Sequence, residues 1–126
     1  MSISPIPELS QEQREAIFDL MLLAMYADSM VKLAENERVY ELIAGLGWKS
    51  YQDPTEYSQL ATARARAASE SAEKTLEFLQ NISGRLAGQD ARNFALVMLM
   101  RLNESDKSES AEESQLYTQA KAVFGV

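Results

Sequence analysis

The sequence predicts an all-α protein, a single-domain antiparallel bundle of about six helices, on three observations. Strand signals are nearly absent, because no period-2 alternation of β-branched and polar residues persists and no Asn-Gly or Asp-Gly hairpin dipeptide occurs. Apolar residues recur instead at helical spacing between polar breaks. Finally, Asp28, Glu35 and Gly47 reappear 78 residues later as Asp106, Glu113 and Gly125, and the same shift lays the apolar run starting at Ala16 over that starting at Phe94. The chain therefore reads as two related helical hairpins within one domain, 1–126, with residues 1–9 as an N-terminal tail.

The first helix is expected from Gln11 to Asp28. Ser10 opens a Ser-x-x-Gln13 capping box, in which hydroxyl and amide satisfy each other's backbone donors. Its second half is apolar on nearly every face, from Ile17 and Phe18 to Met25 and Tyr26, which places it centrally, surrounded by other helices. The second helix, Ala34 to Leu46, sets Val39, Leu42, Ile43 and Leu46 at helical spacing, and Gly45 and Gly47 limit its length. Asp53-Pro54 reads as N-cap and first residue of the third, since proline's missing N–H would be unpaired there anyway. Its Ala-rich run from Leu60 to Ala68 favours helix and permits close backbone approach, until Ser69-Glu70-Ser71 interrupts it.

The fourth helix, Ala72 to Leu86, carries Leu76, Leu79, Ile82 and Leu86 on one stripe, widened by Phe78. Gly88-Gln89-Asp90 ends it and caps the fifth, Ala91 to Leu102, which is again apolar nearly all round and is expected beside helix one in the core. The sixth, Ala111 to Phe124, ends at Gly125.

At 126 residues the chain suits one compact domain, burying roughly 65–70% of the surface its unfolded form exposes. A net charge of −7, without a basic patch to overcome the field, argues against nucleic acid as a partner. Having neither Cys nor His, the protein lacks thiolate nucleophiles, imidazole bases and soft-ligand zinc sites, so any metal must be held by oxygen. The apolar runs are shorter than the roughly 20 residues a bilayer requires, and Asp19 interrupts the first. Residues Met1 to Pro5 show no positive region followed by an apolar core, so no secretory leader is expected and cytoplasmic residence is the default.

The acids of the repeated motif are the candidate ligands. Asp28 closes helix one and Glu35 opens helix two, so both bracket one interhelical loop, and Asp106 and Glu113 bracket another. A divalent cation (Ca²⁺, Mg²⁺ or Mn²⁺) suits such oxygens, with Glu37, Glu104, Glu109 and Glu112 as further donors. Helix-end electrostatics gives the simpler account, since a first-turn carboxylate offsets the helix dipole by about 0.3–1 kcal/mol. Neither loop has the calcium-loop pattern: Met30 stands at the third position of the first, and Ala111 at the sixth of the second.

The stretch Ala24-Met25-Tyr26-Ala27-Asp28-Ser29-Met30-Val31, with Glu35 and then Leu46-Gly47, resembles the TerB-like (tellurite-resistance B) family. That family carries an Ala-Asp-Gly motif, a hydrophobic residue three after the Asp, a Glu seven after it and a Leu-Gly ending. The resemblance, covering about Gln11 to Phe124, implies an all-α domain of two such hairpins and a place in tellurite or other chemical-stress responses. It also implies metal binding through Asp28 and Glu35, and through Asp106 and Glu113, or interactions at the inner membrane face. Ser29 replaces the usual Gly, Lys32 replaces a Ser-type N-cap, and Glu109 stands at a hydrophobic position of the second copy. These departures weaken the second site more than the fold.

The resulting expectation is a non-enzymatic stress-response accessory or scaffold whose partner is another protein, with a homodimer as one arrangement open to it. One alternative is a metal-free protein–protein interaction domain. Another is an all-α Mg²⁺-dependent nucleotide pyrophosphohydrolase, echoed only by Glu109-x-x-Glu112-Glu113, because Glu70, Glu73 and Glu77 read as a solvated helix face. Met21, Met25, Met98 and Met100 are expected as core fillers, and Tyr40, Trp48, Tyr51 and Tyr57 as an aromatic group covering one end of the bundle or anchoring a partner.

Overall fold

A computed structural model describes residues 9–27, 39, 41–43, 45, 54–103 and 111–126. All regular structure among them is α-helical, as expected. Helix α1 spans Gln11–Ala27, α2 is represented by the helical residues 39 and 41–43, and α3 spans Pro54–Ala68. Helix α4 spans Ala72–Leu86, α5 Gln89–Asn103 and α6 Ala111–Phe124.

Local chemistry sets most of these limits. At the start of α1 the Ser10 N–H donates to Gln13 Oε1 (2.9 Å) and the Gln13 N–H to Ser10 Oγ (3.1 Å), completing the expected capping box. The Gly45 N–H donates to the Glu41 carbonyl of α2, 3.3 Å away. Proline opens α3 as its fixed φ allows; its expected cap, Asp53, lies outside the described residues, as does Gly47. The interruption after Ala68 is a tight turn in which Ser71, extended at φ −149°, caps α4 by accepting from the Lys74 N–H. The Thr75 hydroxyl then reaches back to the Ala68 carbonyl (2.8 Å), binding the two helices at their junction.

The end of α4 departs from expectation. The left-handed residue that stops it is Ala87 (φ 46°, ψ 50°), one position before the glycine assigned that role. At the end of α6 the left-handed position is filled by Gly125 (φ 71°), whose N–H bonds the Lys121 carbonyl at 3.1 Å.

Helix α1 is the centre of the bundle and packs against α3, α4, α5 and α6. From Ala16 to Met25 all its side chains are buried, which accounts for the run that is apolar on every face. Ala61, Ala65 and Ala68 continue the buried face of α3 that begins at Tyr57 and Ser58, so much of its packing against α1 and α4 is made by small side chains. Leu79, Ile82 and Leu86 bury the stripe of α4.

Two expectations about the core need correction. Leu76 is 41% exposed, because at 100° per residue it lies about 70° from the centre of the buried stripe, while Thr75 falls closer to that centre. Helix α5 does lie beside α1, but it also meets α4 and α6 and leaves one face open, exposing Val97 (42%) and Met100 (44%). Met21, Met25 and Met98 fill the core as expected, and Met100 does not. Within the described residues no helix is long and apolar enough to cross a membrane.

Candidate functional site

The strongest polar constellation among the described residues is built on Asp19, in the middle of the most apolar helix. Its side chain is fully buried. A carboxylate there is held only if every oxygen finds a partner, since unpaired burial of a charge costs several kcal/mol on the order of magnitude of its lost hydration. Asp19 Oδ1 accepts from the Tyr57 hydroxyl at 2.7 Å, and Oδ2 accepts from Arg85 Nη2 at 2.5 Å. The three residues belong to α1, α3 and α4, so one carboxylate locks three helices in register.

A second guanidinium extends the network. Arg64, two turns after Tyr57 on α3, donates from Nη2 to the tyrosine oxygen (3.2 Å), lies 3.9 Å from Asp19 Oδ1, and stacks its charge 5.8 Å from the Tyr57 ring centroid. Phe18 closes the inner side, its ring centroid 5.6 Å from that of Tyr57. On the outer side Asn81 Oδ1 accepts from Arg85 Nε at 3.0 Å, one helical turn away.

Electrostatics agree with the geometry. Burial, then the charge of Asp19 and the hydrogen bond to it, push the Tyr57 phenol well above the usual tyrosine range, so it stays a donor. For Arg85, burial acts to lower the pKa, but the hydrogen bond to Asp19 and its charge outweigh that and hold the guanidinium above its ordinary value. Both oxygens of Asp19 are satisfied from neighbouring helices, an arrangement suited to fastening those helices.

Outside this network, between α3 and α4, runs a groove of about 540 Å³. Arg64, Lys74 and Arg85 line it together with Glu77, and Ala67, Ala68 and Phe78 supply apolar surface. A smaller polar recess of about 290 Å³ lies between the α3–α4 turn and α6.

Of the four residues expected to bind metal, Asp28, Glu35 and Asp106 lie outside the described residues. Glu113 falls in the first turn of α6, as expected, but its side chain lies outside the described set, as do Glu109 and the side chain of Glu112. Among the described residues, no group of three or more acidic side chains is placed to hold a metal ion. Tyr40, Trp48 and Tyr51 are likewise outside the described residues, whereas Tyr57 is buried against Phe18 and Asp19 within the bundle.

Sequence reasoning treated Asp19 only as an interruption of an apolar run and missed its network. The signal was present: a lone acid at the centre of a helix that is apolar on every face requires a buried cation. Which of the arginines supplies it depends on how α4 lies against α1, and that is a tertiary fact.

The comparisons are silent on kinship. No protein-family model, no curated protein and no solved structure matches the chain.

Proposed function

We propose that the protein is a non-enzymatic, TerB-like accessory or scaffold module of a cytoplasmic stress response. The observation that carries the scaffold reading is the Asp19 network: the strongest polar constellation described joins α1, α3 and α4 at 2.5 and 2.7 Å and holds a fixed frame. The TerB-like assignment and the two-hairpin construction rest on the 78-residue echo and on the motif around Asp28. In this reading Asp28 and Glu35, and less strongly Asp106 and Glu113, supply oxygen ligands to a divalent cation at the loops that the hairpins present.

Calorimetric titration with Ca²⁺, Mg²⁺, Mn²⁺ and Zn²⁺ tests the cation, comparing the native chain with an Asp28→Asn/Asp106→Asn variant. Saturable binding lost in the variant supports the site. No binding by the native chain removes the cation, and unchanged binding in the variant moves it elsewhere.

A second reading, a metal-free interaction domain, is favoured by Val97 and Met100, which lie one turn apart on α5 and are both more than two-fifths exposed. Self-association is the direct version of that reading. Sedimentation velocity of the native chain and of Val97→Lys decides it: a native dimer that becomes monomeric in the variant supports it, and a monomer in both rejects it.

A further inference from the structure

We infer that the α3–α4 groove is a binding site for a monocarboxylate with an apolar body, a site independent of the acids at 28, 35, 106 and 113. Two guanidiniums face it, Arg85 held by two of its nitrogens and Arg64 by one. Arg85 commits Nη2 to Asp19 and Nε to Asn81 and also interacts with the Tyr57 hydroxyl, so it contributes chiefly its charge to the groove. Arg64 commits Nη2 to the Tyr57 oxygen, leaving its Nε and Nη1 without a bond there, on a side chain that is 54% exposed. Their orientation is therefore fixed from beneath by a buried carboxylate and a buried phenol, while donors remain for a ligand. A guanidinium so placed offers a carboxylate charge-assisted hydrogen bonds from its uncommitted N–H groups.

Charge selects the valence. The groove lining carries Arg64, Lys74 and Arg85 against Glu77, and Asp19 lies behind it, which leaves one net positive charge in a chain whose total is −7. Glu70 lies 3.8 Å from Lys74 but outside the groove lining, and with both side chains more than half exposed the solvent screens that pair. One carboxylate balances the site, whereas a phosphate dianion would overfill it and sit near Glu77. Phe78, Ala67 and Ala68 offer the surface for an apolar body, and about 540 Å³ falls within the span of small-ligand clefts, roughly 300–1,000 Å³.

The carboxylate can belong to a free organic acid or to a peptide C-terminus with an apolar last residue, and the test separates them. Amide chemical shifts of the full chain are followed by NMR during titration with octanoate, 1-octanol, octyl phosphate, N-acetyl-Gly-Gly-Phe and its C-terminal amide. Saturable shifts at residues 64–68, 74–81 and 85 are expected with octanoate, with the free-acid peptide, or with both. The uncharged counterparts should bind at least tenfold more weakly. Arg64→Gln should lower the affinity at least tenfold while leaving the rest of the spectrum in place, and Arg64→Lys should recover only part of the loss because it restores charge without the guanidinium's fixed planar donors. A response to octanoate alone assigns a free acid, and one to the peptide alone assigns C-terminal capture. Equal binding of acid and alcohol or amide, tighter binding of octyl phosphate, shifts only outside the groove, or an unaltered Arg64→Gln titration each overturns the inference. The cation titration above can fail without affecting any of these outcomes.

Discussion

Two arginines hold the C-terminal half of α4, and they do so by opposite means. Arg85, in its last turn, points to α1 and neutralises the buried carboxylate of Asp19. Arg92, near the start of α5, reaches two backbone carbonyls near helix ends, Ser83 at 3.1 Å and Phe124 at 3.5 Å. The first contact joins two full charges in the interior. The second sets a cation on the negative ends of α4 and α6, where the last carbonyls lack helical partners. Its Nε is buried without a hydrogen-bond partner among the described residues, a cost the Asp19 site avoids. The α1–α3–α4 side is thus held by a buried ion pair whose carboxylate oxygens are both satisfied, and the α4–α5–α6 side by a looser cap on an apolar interface.

The widest separation of the two sides should come from Asp19. Asp19→Ala strands Arg85 and the Tyr57 hydroxyl and should cost about 3–5 kcal/mol of unfolding free energy. Asp19→Leu combined with Arg85→Met should recover most of that loss, since a buried pair replaced whole by apolar groups is often near neutral. Urea denaturation of the single and double variants measures both, and a double variant no more stable than Asp19→Ala would mean that Tyr57 and Arg64 carry the network. Arg92→Met should cost less, about 1–2 kcal/mol in the same assay, because one bond is at the limit of hydrogen-bond distance and the unpartnered Nε is removed with it.

A pH scan sharpens the contrast further. The folded-state pKa of Tyr57 is raised, so its contribution is complete below the ordinary tyrosine pKa of about 10 and is lost as pH rises through the folded value. Above about pH 10 the unfolded chain releases this proton while the folded chain keeps it, so the melting temperature should fall more steeply in the native protein than in Tyr57→Phe. Arg92→Met should leave that difference unchanged. The smallest effect belongs to the stop of α4. Ala87→Gly relieves a left-handed alanine and should stabilise by about 0.5–1 kcal/mol, whereas Gly125→Ala creates the same strain at α6 and should destabilise by about as much. Equal responses at the two positions would show that the caps are not strained differently.

Much of the frame was legible before the structure because its determinants are local. Ser10 and Gln13, Pro54, the break at 69–71 and Gly125 mark helix limits through short-range hydrogen bonding and backbone freedom. The burial of α1 followed from apolarity on every face. What resisted was orientation: Val97 and Met100 are as apolar as their buried neighbours, and only the placement of α4 and α6 decides which side of α5 stays open. The Asp19 network and the groove beside it failed to appear for the same reason, since their members lie on three helices. Ala87 escaped because a glycine stood next to it and composition favoured the glycine.

Gln13 completes the capping box and also donates its side-chain N–H to the Leu86 carbonyl, so it and Arg85 fasten α1 to the same turn of α4 across 73 and 66 residues of chain. Neither bond can form until that long loop has closed, and closure is the slow part of assembling distant contacts. They should therefore act after the folding barrier and govern the lifetime of the native state rather than the speed of reaching it. Kinetically, Asp19→Ala should steepen loss of structure by raising the unfolding rate in stopped-flow measurements, with the refolding rate nearly unchanged, which would make this one carboxylate a latch on residence in the folded state.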